Sequence, residues 1–355
     1  MTDVTKLAAE CVHTSQMLRH DGRLLAAAGA VGAAAGVYLY VRRRRSSHPP
    51  QMIHYDEFGL FRDNCTEHGL VYNGPPTVVR ERVVLPDGRG VSALRWGEGE
   101  VEMVLLHGGA QNAHTFDTVA LALSRPMLCI DLPSHGHSDT ATSVNDPHAA
   151  ASDVAAVIEA LAPSAKALVG MSFGGLTAIA LSAARPELVR RLALIDITPG
   201  VTHSKAKAIL DFVSGPTSFD CFDSLLARAK RYNPTRTEAS LRRGILHNAL
   251  QRPDGSWVWR HARFREADLN ARMASPPDYA ALWAALSGLR VPCMLVRGMR
   301  KQSVVDDDDE AELLNRQPNA RVERVAEAGH SVQGDAPLEL AALLASFVDE
   351  PSKAS

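Results

Sequence analysis

Residues 165–184 read AKALVGMSFGGLTAIALSAA. The first seven form an apolar run of strand length. From Gly174 onward, small residues continue to Pro186 in a pattern that suits a helix. Between the two lies Gly170-Met171-Ser172-Phe173-Gly174. A strand that passes so abruptly into a helix needs glycines where the two backbones approach. The turn holds the Ser172 hydroxyl clear of the sheet edge. The helix start beyond it offers free N–H groups to a developing negative charge. In this strand–turn–helix context Gly-x-Ser-x-Gly reads as the seat of a nucleophile rather than as a plain glycine-rich bend.

Serine is a weak nucleophile and needs a base. His330, in Ala328-Gly329-His330 after the last strand-like run, is the candidate among 14 histidines. The base in turn needs an orienting carboxylate, and two are available. Asp196 ends the apolar run 188–197. Asp306 opens the run Asp306–Asp309. Acidic residues at a helix start are explained by the helix dipole alone, so Asp196 is the preferred acid and Asp306 the alternative. His107-Gly108-Gly109-Ala110 follows an earlier apolar run. The Gly109 N–H there and the Phe173 N–H are the expected oxyanion donors. His107 reads as a loop-ordering residue. His135 and His137, in Asp131-Leu132-Pro133-Ser134-His135-Gly136-His137-Ser138, have metal-ligand character but no clustered partner nearby in sequence. They too read as loop residues, and no metal is expected.

Working outward, residues 77–85 and 91–96 flank Pro86-Asp87-Gly88-Arg89-Gly90, which is a β-hairpin signal. Strand and helix signals then alternate. Strands are expected at 101–106, 126–132, 165–171, 188–197, 291–297 and 320–325. Helices are expected at 147–162, 174–184, 308–316 and 337–348. Fully apolar strands alternating with helices predict a mostly parallel sheet covered on both faces. The polar residues fall just past the strand ends, where open α/β sheets bind ligands. Residues 199–288 lose the strand signal and read as a helical lid inserted in a core of 77–198 and 289–350.

Taken together, the HGG loop, the Asp-x-x-x-x-Gly-x-Ser loop, GMSFGG and AGH resemble the α/β-hydrolase fold over residues 77–350. The resemblance implies an eight-stranded sheet and a triad of Ser172, Asp196 and His330. The chain departs from the commonest family pattern in having no acid soon after Gly298; Met299-Arg300-Lys301-Gln302-Ser303 follow instead. Members that carry the acid after the preceding strand match Asp196. Dehalogenases and epoxide hydrolases of this fold use an Asp nucleophile, which Ser172 argues against.

The chain has 355 residues, 46% hydrophobic and 22% charged, with a formal net charge of −2. That excludes a wholly disordered chain and gives no argument for nucleic acid as a partner. Five cysteines with no CxxC spacing argue against a disulfide framework. The front of the chain breaks the average. Residues 24–41, LLAAAGAVGAAAGVYLYV, carry no charge and precede Arg42–Arg45. As a helix they span about 27 Å at 1.5 Å per residue, against a bilayer core of about 30 Å. Tyr38 and Tyr40 sit where interfacial aromatics belong. The reading is a single-pass membrane helix within an N-terminal segment 1–45, with the catalytic domain on the cytoplasmic side. The alternative is a soluble Ala/Gly-rich segment. Residues 46–76, with Pro49, Pro50, Pro75 and Pro76, read as a linker.

The expected activity is that of a serine hydrolase cleaving a carboxylic ester or related carbonyl substrate, lipid-like if the chain is tethered. No cofactor is implied. An acyltransferase, a carbon–carbon bond hydrolase or a cofactor-free haloperoxidase would use the same triad. A membrane-tethered binding protein is the non-catalytic rival.

Overall fold

The computed structural model describes residues 52–141, 143, 146–261 and 277–351. The apolar run 24–41 and Arg42–Arg45 lie outside the described residues. Among the described residues, no helix is long and apolar enough to cross a membrane.

The hairpin forms as expected, from β1 (Val78–Val84) and β2 (Gly90–Trp96). Four short apolar strands follow: β3 (Met103–Leu106), β4 (Met127–Ile130), β5 (Ala167–Met171) and β6 (Leu192–Ile195), all with every residue buried. β10 (Cys293–Gly298) and β11 (Arg321–Val325) complete an eight-stranded sheet in the order β1-β2-β4-β3-β5-β6-β10-β11. β1 with β2 and β2 with β4 run antiparallel, and the rest are parallel.

β3 to β6 are apolar throughout because helices cover both faces. On one face Val154, Val157 and Ile158 of helix Pro147–Leu161 pack with Ile179 and Leu181 of helix Phe173–Ala184. On the other, Phe116 and Val119 pack with Leu340, Leu344 and Phe347 of helix Pro337–Asp349. Each such side chain, taken fully out of water, stabilises the fold by about 1.5–3 kcal/mol.

The stretch 46–76 is more than a linker. Residues 61–68 form a helix, Phe61–His68, whose Phe61, Asn64 and Cys65 are buried. Phe61 lies 5.0 Å from the Trp96 ring, centroid to centroid, and belongs to the core. The expected lid 199–288 also differs in detail from a helical cap. Three short strands, β7 (Ser218–Phe219), β8 (Ala249–Gln251) and β9 (Trp257–Trp259), form a small antiparallel sheet there. Phe219, Phe222, Trp257 and Trp259 pack with Leu225 and Leu241 into a core of the insert's own. The last stretch of the range, helix Tyr279–Gly288, instead lays Leu282 and Leu286 in the main core.

Candidate active site

The parallel strands end along one edge, and the polar residues follow them directly. His107 succeeds β3, Asp131 succeeds β4, Ser172 succeeds β5 and Asp196 succeeds β6. Ser172 has φ 51° and ψ −120°, between β5 and helix Phe173–Ala184. That left-handed region is rarely adopted by a residue with a side chain and costs about 1–3 kcal/mol. The surrounding packing enforces it. A Cβ on Gly170 would stand 2.4 Å from the Gly174 carbonyl oxygen, and one on Gly174 would stand 2.4 Å from that of Leu106. The turn therefore exists only with glycine at both positions.

Asp196 is fully buried and also left-handed, at φ 45°. Its carboxylate is held at four points. Oδ1 accepts from Gly298 N at 2.9 Å and from Ser303 Oγ at 2.6 Å. Oδ2 accepts from Val304 N at 3.0 Å and from His330 Nδ1 at 2.9 Å. With Nδ1–H donating to the carboxylate, the neutral His330 ring presents Nε2 as an acceptor. Asp196 and His330 are thus brought together. Among the described residues, no hydrogen bond joins Ser172 to His330. Such contacts are commonly looser before substrate binds.

Asp306 has a different place. Its side chain accepts from Asp309 N at 3.0 Å, and the Asp309 side chain accepts from Asp306 N at 3.1 Å. This capping box starts helix Asp307–Arg316, and Lys205 Nζ lies 2.8 Å from the Asp306 carboxylate.

The HGG loop lies against Ser172. A Cβ on Gly108 would meet Met171 Sδ at 2.5 Å and Ser172 Cβ at 3.1 Å. Gly108 N donates to Gln111 Oε1 at 3.1 Å, and Ala110 N donates to His135 Nε2 at 3.1 Å. Between them, the Gly109 N–H has no internal acceptor among the described residues, nor has the Phe173 N–H at the helix start. The rings of His107 and His135 bond the backbone of the neighbouring loops. His107 Nε2 accepts from Leu132 N at 2.9 Å, and burial, with His135 beside it, pushes the ring down to about 3. His135 Nδ1 donates to Pro133 O at 2.9 Å. Burial, aided by Arg80 and Arg260, pushes His137 down to about 4. The buried Asp131 carboxylate accepts from Ala113 N at 2.8 Å, from His137 N at 3.0 Å and from Arg80 Nη1 at 2.7 Å.

Sequence reasoning missed a second cluster, because its members come from distant parts of the chain. His114 Nδ1 lies 2.9 Å from Asp117 Oδ2, and His114 Nε2 lies 3.0 Å from Glu57 Oε1. His247, from helix Glu238–Asn248 of the insert, stacks on His114 at 3.9 Å and 13° and bonds the Tyr55 hydroxyl at 2.7 Å. Burial opposes charge on His114, but the Asp117 and Glu57 carboxylates outweigh it and raise the ring to about 9. Burial likewise opposes charge on Glu57, yet hydrogen bonds from His114 and Arg80 bring it down to about 2. Burial pushes Asp117 up and, with His114 beside it, pushes His247 well down. Ligand atoms of His114, Asp117 and His247 lie within 4.8 Å of one another. A metal bound by both imidazoles would have to lie in both ring planes, and two nearly parallel stacked rings share no such point. Both nitrogens of His114 are also committed to carboxylates. The group fits an ion-pair network joining Tyr55 and Glu57 to the core and the insert.

Beside this network, under the insert, is a cavity of about 160 Å³. Gln111 and Ser331, next to the HGG loop and to His330, lie on its wall, and Arg236 and Ser240 line it from the insert.

A family model described as the alpha/beta hydrolase family matches residues 103–343. The chain is 39% identical over 302 residues to the esterase Rv0045c of Mycobacterium tuberculosis, covering 83% of this chain and 96% of that protein. It is 26% identical over 258 residues to an sn-1-specific diacylglycerol lipase, ABHD11, of Xenopus laevis, covering 70% of this chain and 79% of the relative. A crystal structure of the Mycobacterium tuberculosis esterase matches with a TM-score of 0.70 at 38% identity, covering 84% of this chain and all of that one. With the sheet order and the polar residues at its strand ends, these matches show that the chain belongs to the α/β-hydrolase family.

Proposed function

We propose that the protein hydrolyses carboxylic esters through an acyl-enzyme on Ser172. The observation that carries this is the 2.9 Å bond from His330 Nδ1 to a buried Asp196, at the sheet edge where the strained Ser172 turn ends β5. His330 Nε2 takes the Ser172 proton as Oγ attacks the ester carbonyl. The resulting oxyanion lies against the N–H groups of Gly109 and Phe173. Asp196 keeps Nδ1 protonated and stabilises the imidazolium. His330 then returns the proton to the leaving alcohol, and the acyl group stays on Ser172. Water, deprotonated by His330, attacks the acyl-enzyme and releases the acid, which restores the serine hydroxyl. An ester substrate is supported by the names of the relatives, an esterase and a diacylglycerol lipase.

The reading is tested with a fluorophosphonate probe, which labels an activated serine. The wild-type chain should label and the Ser172→Ala protein should not. Equal labelling of both, or no labelling of the wild type, would overturn it.

The proposal extends to location. The uncharged run 24–41 and the arginines after it would tether the domain to the cytoplasmic face of a membrane, within reach of lipid-like esters.

A further inference from the structure

The cavity under the insert begins beside the catalytic loops. A Cβ on Gly108 would meet Ser172 Cβ at 3.1 Å and Gln111 Oε1 at 3.3 Å, so the nucleophile and the cavity wall flank the same glycine. Ser331, on the cavity wall, adjoins His330. Arg236, from the insert, also lines the cavity. Its guanidinium lies over Gly334, where a Cβ would meet Cζ and Nη1 at 3.1 Å.

Arg236 is poorly compensated. Its Nη2 donates to Ser240 Oγ, while its Nε is buried with no hydrogen-bond partner. Among the described residues, no carboxylate forms an ion pair with it, whereas the neighbouring Arg243 is paired with Glu67. The carboxylates nearest in effect are engaged elsewhere. Glu67 holds Arg243 and the Thr237 hydroxyl. Asp335 accepts from Thr235 Oγ1 at 2.9 Å and from Gly329 N at 2.9 Å. Burial lowers the basicity of Arg236, and Arg243 beside it adds to the effect that Asp335 and Glu67 oppose. Arg236 is half-buried and keeps its proton, and a guanidinium whose Nε is shut off from water with no carboxylate beside it carries a desolvation cost. A ligand anion would remove that cost.

We infer that this cavity is a substrate subsite for a carboxylate, with Arg236 receiving the far end of a short, acid-terminated acyl chain whose ester carbonyl lies at Ser172. The planar guanidinium matches a carboxylate in shape and charge. At about 160 Å³ the cavity is close to an engineered one that admits a single benzene ring, so the chain it takes is short. The natural substrate class is then the half-ester of a small dicarboxylic acid. The inference rests on the serine-hydrolase reading for its chemistry and on Arg236 for its specificity.

The test uses the full chain and two esters of equal length, 4-nitrophenyl hydrogen adipate and 4-nitrophenyl hexanoate. Wild type should favour the adipate in kcat/KM, through KM. In Arg236→Met the adipate-to-hexanoate ratio should fall about tenfold, and in Arg236→Lys, which keeps a charge without the planar fork, by about threefold. The lysine variant carries the test should the methionine one not fold. An unchanged ratio, with hexanoate still cleaved, overturns the subsite and leaves the serine hydrolase standing. Calorimetric binding of free adipate to Ser172→Ala separates the reverse case. Binding that Arg236→Met weakens about tenfold supports the subsite even where neither ester is cleaved. Adipate binding that is indifferent to Arg236 overturns it.

Discussion

Asp196 sits at φ 45° with four hydrogen bonds on its carboxylate, while Asp306 caps a helix. Their variants should therefore fail in different assays. Asp196→Asn should lower kcat by about 10⁴-fold, because the amide favours the wrong imidazole tautomer. Asp306→Ala should leave kcat alone and cost about 1 kcal/mol in a denaturant melt, the loss of one N-cap. The reverse ranking would exchange their roles. The place of Asp196 at a strand end was legible in the sequence because it ends an apolar run in step with the strands before it. Its support from Gly298, Ser303 and Val304 was not, since those residues lie 102 to 108 positions away and meet it only in the folded sheet. The uncommon run after Gly298, with no acid, supplies backbone N–H groups and a hydroxyl to the acid on the neighbouring strand.

Among the elements, the strands of the large sheet were foreseen and several short elements were not. Helix Phe61–His68 reads FRDNCTEH and buries only Phe61, Asn64 and Cys65, too narrow a stripe for a hydrophobic pattern to reveal. Phe61→Ala should nevertheless cost about 3–5 kcal/mol by chemical denaturation, as for other fully buried aromatics. β7, β8 and β9 are two or three residues long, shorter than any alternation can be read. The segment before this helix carries a pH signature. His114 is raised to about 9, so its contribution to stability is complete below about 6.5, the unfolded value, and is lost as pH climbs through 9. Glu57 is depressed to about 2, so its contribution is present above the ordinary carboxylate range and is lost as pH falls toward 2. The melting temperature should therefore fall between pH 7 and about 9.5, and His114→Gln should flatten that slope. A wild-type melting temperature that holds steady over the same range would contradict the raised histidine.

At the scale of the whole molecule, alternating βα units pointed to the architecture because the central strands β3 to β6 are buried on both faces. The cavity and the His114 network were invisible in the sequence, since they bring together Glu57, Asp117 of the core and Arg236 of the insert. Location is also a property of the full chain. Membranes from cells making residues 1–355 should retain the protein through a high-salt wash. A chain starting at residue 46 should be released, and equal release of both would refute a tether.

The left-handed serine has one more consequence. Ser172 holds a backbone shape that glycine adopts freely. Ser172→Gly should thus be inert yet melt about 2–4 °C above Ser172→Ala, a gain of roughly 1 kcal/mol. A sequence optimised for durability alone would carry glycine at this position. The chain is in this sense less robust than its own fold allows, and part of the shortfall sits at the residue proposed as its nucleophile.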